Sequence, residues 1–239
     1  MGIWQAITGF IALILQTIYG FIGNYGVSII VFTILMRLLL FPLSVSQRKN
    51  MEQNKLLQPK IKELQKKYKS DPQTLQQKQM ELFKEHNFNP LSGCLPLLVQ
   101  MPIIFALFSV LRNAGEFMPS EAINQSFMWL PNMIDADRLS NIIPQMQLAN
   151  SLPGLWPILA AIFTWLSMKQ TQNNQQLSQD PDGPKMPNMS MMTTLFPAMI
   201  LFFGLNYSAG LIVYWAVSNI IQFIQEKALT RMFTKKEVM

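Results

Sequence analysis

Residues 26–45 read GVSIIVFTILMRLLLFPLSV. A helix needs about 20 mostly apolar residues to cross a hydrocarbon core, and this run supplies them with a single charge, Arg37. Arginine at the centre of a lipid-facing helix costs roughly 2.5–3.5 kcal/mol on insertion scales. Gln47 and Arg48 stand ten or more residues further on, about 15 Å along a helix, so Arg37 sits too deep to reach the interface easily. It is therefore expected to face hydrated space inside a helical bundle. A structural ion pair is the competing explanation. No Asp or Glu falls inside any other apolar run, so a partner carboxylate is expected to be missing. The cation is then available to an acidic or polar segment from outside the chain.

Four more apolar runs stand beyond this one: 93–111, 152–168, 191–205 and 208–224, the fourth run of the five carrying Pro197. Half of the 239 residues are hydrophobic and 13% are charged, against about 25% charged in a soluble domain. The mean hydropathy is +0.20. Such a chain cannot cover its own surface in water, so an all-α polytopic membrane protein is expected. Residues 1–23 carry no Lys or Arg, which argues against a secretory n-region. They are long enough to span, yet Gln5, Thr8, Gln16 and Tyr19 form a narrow polar stripe at helical spacing, as an interfacial helix would. Both readings fit these residues.

Charge sets the orientation. Arg48–Leu91 carries ten Lys/Arg and five acids, whereas Asn113–Ser151 carries one, Arg138, and four acids. Lys/Arg-rich loops stay in the cytoplasm, which puts 48–91, 170–190 and the C-terminal tail inside and 113–151 outside. The segments are 1–23, a first span 24–47, a cytoplasmic segment 48–91, a second span 92–112, an outer loop 113–151, a third span 152–169, a cytoplasmic loop 170–190, spans 191–206 and 207–225, and a tail 226–239. Within 48–91, Leu57, Ile61, Leu64 and Tyr68 share one helical face. Ser70-Asp71-Pro72 then stops one helix and caps the next, and Leu75, Leu82 and Phe83 continue an apolar stripe. Two helices joined by so short a turn pack antiparallel, with Lys60, Lys62, Lys66, Lys67 and Lys69 as candidate contact residues. Pro59 either kinks the first arm or marks its start.

The remaining intramembrane polar groups are mild: Gln100, Thr164, Ser167, Tyr214, Ser218 and Asn219. Together they are candidates to line a wet groove around Arg37, with Trp215 beside them. Singly, a helix–helix hydrogen bond accounts for each. Trp4, Trp129, Trp156, Trp165 and Trp215 include candidate interface anchors, and for Trp215 anchoring or core packing competes with the groove. Met186, Met189, Met191 and Met192 cluster before the fourth span, either as flexible filling or as an adaptable surface. The chain has one histidine, His86, placed near the end of the charged segment and expected to be solvated, and one cysteine, Cys94. This argues against a Cys/His metal site and a serine–histidine nucleophile, and the apolar runs hold no Asp or Glu for an intramembrane acid pair. There is no GxxxxGK[ST] phosphate loop. No enzyme activity, metal or cofactor is expected.

Asn89-Pro90-Leu91 followed by Gly93-Cys94-Leu95-Pro96-Leu97-Leu98-Val99-Gln100-Met101-Pro102-Ile103 resembles the second-span signature of the YidC-type membrane protein insertases. Met36-Arg37-Leu38 through Phe41-Pro42-Leu43 resembles that family's first span. Leu57-Gln58-Pro59-Lys60-Ile61 with Tyr68, Ser126–Pro131 (SFMWLP), and Ser208-Ala209-Gly210-Leu211 through Tyr214-Trp215 and Ser218-Asn219 extend the likeness over residues 20–225. The resemblance implies five transmembrane helices, an outer N-terminus whose amphipathic helix lies in the interface, and a cytoplasmic antiparallel helical hairpin. It also implies a bacterial plasma membrane location and the Gram-positive type, without the large outer soluble domain. The implied activity is insertion and chaperoning of client membrane proteins through a hydrophilic groove centred on Arg37, without nucleotide hydrolysis. Its implied partners are newly made membrane proteins and the bilayer, with the ribosome, the signal recognition machinery and the Sec translocon as further candidates, and no direct recognition of nucleic-acid sequence. The chain departs from the family in having Met168 before Lys169 and a tail whose only basic residues are Lys227, Arg231, Lys235 and Lys236. A small secondary transporter or channel would also explain a lone intramembrane arginine, but it calls for an internal repeat that the sequence lacks.

Overall fold

The computed structural model describes residues 2–86, 88–89, 95–175 and 189–237. The Gly93-Cys94 motif, Met186 and the middle of the 170–190 loop lie outside these residues. Ten α-helices occur in the described residues: α1 (Ile3–Ile22), α2 (Tyr25–Leu39), α3 (Phe41–Lys67), α4 (Pro72–Glu85), α5 (Leu95–Arg112), two single turns α6 (Ala114–Phe117) and α7 (Ser120–Ile123), α8 (Leu155–Gln175), α9 (Met189–Asn206) and α10 (Ala209–Glu237). The chain is all-helical there except for two isolated bridges, Phe127–Leu130 and Arg138–Pro153.

Local chemistry fixes the breaks. Gly23 closes α1 in the left-handed region (φ 71°), donating its N–H to the Tyr19 carbonyl, and the Asn24 side chain then caps α2 by accepting from Val27 N. The first apolar run does not continue straight to residue 47. It breaks at Leu40, and α3 leaves at 51° to α2, with Pro42 in the first turn of the new helix. A proline ring denies that turn its continuation of the preceding hydrogen-bond ladder. α3 then runs through Pro59 as one helix, so Pro59 does not mark where the arm begins. Asp71 caps α4, accepting from Thr74 N at 3.1 Å, with Pro72 at the first helical position.

α4 folds back on the second half of α3, and the two share an apolar cluster of Leu57, Ile61 and Leu82 with Leu64, Phe83 and Phe88 around it. So small a core has little redundancy. Truncating Leu57, which is buried, to Ala costs about 2–3 kcal/mol, enough to release α4 locally while the rest of the fold stands. Hydrogen exchange should quicken in the α4 amides of Leu57→Ala and leave those of α10 unchanged.

The main core joins α10 to α2 and α8, α8 to α9, and α1 to α2 and α5. Ile29, Phe32, Leu107, Val110, Ile200, Ile212 and Val213 lie at its centre, all fully buried. The periphery is the reverse of a soluble protein's. Phe21, Leu39, Phe202 and Ile224 are 88%, 71%, 64% and 59% exposed. Apolar exposure of this kind suits a surface that faces lipid or another protein.

Residues 113–154 close one end of the bundle by satisfying helix termini, each of which leaves backbone groups without an intrahelical partner. Gln125 accepts from Tyr25 N at the start of α2 and donates to Gly23 O and to the Tyr19 hydroxyl. Asp135 and Met133 carbonyls accept from Ala209 N and Gly210 N at the start of α10. Asp137 accepts from Trp156 N at the start of α8. Arg138 donates to Leu205 O at the end of α9. α1 also reaches this end of the bundle: Trp4 stands by Phe105, Ser109 and Arg112, and Gln16 donates to Phe117 O.

Candidate functional site

The 2.8 Å bond from Arg37 Nε to Ser218 Oγ joins the last turn of α2 to the middle of α10. A second bond runs from Arg37 Nη2 to Gln222 Oε1 at 3.0 Å. Ser218 and Gln222 are one turn apart on α10, and Tyr214 and Glu226 extend the same stripe in both directions. Tyr214 is buried and accepts from Gln100 Nε2 of α5 at 2.7 Å. Gln222 passes the contact on by donating from Nε2 to Glu226 Oε1 at 3.1 Å. The sequence-predicted residues Arg37, Gln100, Tyr214 and Ser218 therefore form one polar seam between α2, α5 and α10.

The others lie apart from it. Asn219 is turned about 100° around α10 from Ser218 and donates to Thr164 Oγ1 of α8 at 2.8 Å, while Thr164 donates to Ala160 O. Ser167 is buried one turn beyond Thr164. This pair ties α10 to α8 in the manner of an interhelical hydrogen bond between spans. Trp215 packs half-buried against Phe196 of α9, ring centroids 6.1 Å apart.

The direct partners of Arg37 are neutral, and a carboxylate, Glu226, enters its network one step further on, through Gln222. Glu226 stands beyond the end of the apolar run, where an acid looks like ordinary tail polarity. The seam's other unanticipated member, Gln222, is recognisable in hindsight from the i, i+4 order Tyr214, Ser218, Gln222, Glu226. Of the tryptophans, Trp129 of the 113–154 cap stacks on Trp156 at the start of α8, ring centroids 5.6 Å apart, and Trp156 is buried. His86 is exposed, as expected of a solvated residue, yet both its ring nitrogens are engaged: Nδ1 with Leu82 O at 3.0 Å and Nε2 with Lys60 Nζ at 2.9 Å.

Among the five lysines, Lys60 holds His86, Lys67 lies over the Tyr68 ring at 5.5 Å, Lys62 is half-buried, and Lys66 and Lys69 are exposed. Arg48 of α3 is buried and ion-paired with Glu52, which also takes Lys55 Nζ at 3.0 Å.

An all-helical bundle with an apolar core and an apolar rim, crossed by a polar seam around a half-buried cation, is the architecture of a multi-pass membrane protein. The family model described as 60Kd inner membrane protein matches residues 17–236. The chain belongs to this family, the YidC family. It is 36% identical to the membrane protein insertase YidC of Clostridium perfringens over 98% of this chain and 89% of that one. It is 37% identical to that of Fusobacterium nucleatum over 94% and 95%. Against the Helicobacter pylori protein of the same name it is 34% identical over 95% of this chain but only 36% of that one. A crystal structure of an active YidC insertase with its first transmembrane domain resolved shares the fold, with a TM-score of 0.62 and 24% identity over 94% of this chain and 46% of that one.

Proposed function

We propose that the protein is a membrane protein insertase and folding chaperone. It passes client transmembrane segments into the bilayer through a hydrophilic groove centred on Arg37, without nucleotide hydrolysis. The observation that carries this reading is the way Arg37 is held. Its direct partners, Ser218 and Gln222, are neutral, so the guanidinium keeps its charge for a visitor. The curated relatives are named for the same activity.

In this reading α2 with the first turns of α3, α5, α8, α9 and α10 are the five spans. α1 lies in the outer interface, the second half of α3 with α4 is the cytoplasmic hairpin, and the C-terminus is cytoplasmic. The 113–154 cap seals the outer side. A client's short polar outer segment enters from the cytoplasm and is stabilised by Arg37, which shortens its path through hydrocarbon. The client's apolar span then leaves sideways into lipid. Each buried CH₂ contributes roughly 0.8 kcal/mol, so a whole span outweighs the cost of moving one short polar tail. The clients are newly made membrane proteins, and the lysine-rich hairpin is the surface for the ribosome, the signal recognition machinery or the Sec translocon.

The test is reconstitution of the purified protein in liposomes without nucleotide, with a single-span client bearing a short acidic outer tail. Tail protection from added protease should rise well above that in protein-free liposomes. Equal protection in the two would sink the reading.

A further inference from the structure

The contacts around Gln222 run in one direction. Its amide oxygen takes the Arg37 guanidinium at 3.0 Å, and its amide nitrogen gives to the Glu226 carboxylate at 3.1 Å. A neutral side chain therefore stands as a polarised bridge between a cation and an anion. Arg48, the other cation that Glu226 senses, is already paired with Glu52. Glu226 is tied to Arg37 through Gln222 and also faces Arg48, so its charge offsets part of the Arg37 cation.

We propose that Glu226, acting through Gln222, is the internal counter-charge of Arg37 and determines how strongly the site selects acidic client segments. This rests on the insertase reading above. An acidic client group approaching Arg37 must compete with the Gln222 amide and meets repulsion from Glu226. Removing that charge removes the repulsion. At separations of the order of 8 Å and an effective dielectric near 20, one charge changes the relative acceptance of an acidic group by roughly three- to tenfold once salt screening is allowed for. Glu226 is a positioning and selectivity residue, since Gln222 stands between it and the guanidinium.

The experiment compares wild type, Glu226→Gln and Glu226→Asp in proteoliposomes with three single-span clients that differ only in a short outer tail, acidic, neutral or basic. Glu226→Gln keeps an acceptor for Gln222 and removes the charge. It should raise the acidic-to-neutral insertion ratio roughly three- to tenfold and lower the basic-to-neutral ratio, while Glu226→Asp keeps the wild-type ratios. Unchanged ratios in Glu226→Gln, with all clients still inserting, overturn the selectivity role and leave the insertase reading intact. Equal loss of all three clients also overturns it, making Glu226 an anchor for α10 alone. If wild type inserts none of them, the insertase reading fails and takes this inference with it.

Discussion

Arg37→Ala should reduce insertion of a client with an acidic outer tail at least tenfold in proteoliposomes, while Arg37→Lys retains a substantial part of the activity. The prediction separates charge from shape. Alanine removes the cation and the donors to Ser218 Oγ and Gln222 Oε1. Lysine restores the charge but has no planar fork, so it can engage one of the two acceptors well and the other poorly. A tenfold loss is about 1.4 kcal/mol, within what one ion-to-ion contact supplies in a partly screened site. Protein stability is the control. Arg37 is only half-buried, and its loss relieves the cost of holding a charge among spans, so the Ala variant should melt no lower than wild type in detergent. A variant that folds as well as wild type and still fails to insert isolates the charge. Normal insertion by Arg37→Ala would mean that hydration or shape alone suffices, and the electrostatic account of Arg37 would be wrong.

The membrane class and the place of Arg37 were legible because both are violations of a strong rule. An apolar run reports its solvent, and a charge inside it stands out against its apolar or weakly polar neighbours. The Asp71-Pro72 cap was legible because its geometry is local: side chain, proline and donating N–H lie within four residues. The partners of Arg37 were less so. Gln100, Tyr214 and Ser218 could be named since they interrupt apolar runs; Gln222 does so too, but two residues before the end of its run, and Glu226 lies just past that end, where an acid carries no surprise. The break at Leu40 was hidden for another reason. Hydropathy is blind to direction, and Pro42 near the end of a span is as compatible with a mild kink as with a 51° change of course. The 113–154 cap was almost invisible. Asp135, Asp137 and Arg138 read as loop charges, because each satisfies a helix end that is distant in sequence.

That cap makes Gly154 the position where one methyl group should do most harm. A Cβ built there would overlap Asp137 Oδ1 and Cγ, far inside ordinary contact distance, and Asp137 has no room to yield. Its side chain is fully buried, with Oδ2 accepting from Trp156 N at 2.9 Å and Oδ1 from Trp129 Nε1 at 3.1 Å. Gly154→Ala must break those bonds or push the cap off α8, for an expected loss of about 3 kcal/mol or more, since a buried charged acceptor that loses its donors forfeits much of its compensation. Asp137→Asn should cost about 1–3 kcal/mol: an amide has one acceptor oxygen where the carboxylate uses two, so its NH₂ would face an N–H. The two variants differ in pH response. Burial pushes the Asp137 carboxyl above its ordinary range, against the opposing pull of Trp156 N–H, Trp129 Nε1 and Asn141. A carboxyl whose pKa is raised on folding binds its proton more tightly in the folded state. Its linkage therefore favours folding most below the unfolded value, near 3.9, and that contribution is lost as pH rises through the raised value. The amide of the Asp137→Asn variant cannot titrate. The stability gap between wild type and that variant should therefore be widest at low pH and narrow as pH rises through that window, whereas Gly154→Ala keeps the carboxyl. Thermal unfolding in detergent between about pH 4 and pH 8 reads both effects. A Gly154→Ala protein that melts with wild type would mean that the cap is not braced on Asp137. An Asp137→Asn gap that does not change with pH would mean that the carboxylate is as well solvated in the cap as in the unfolded chain.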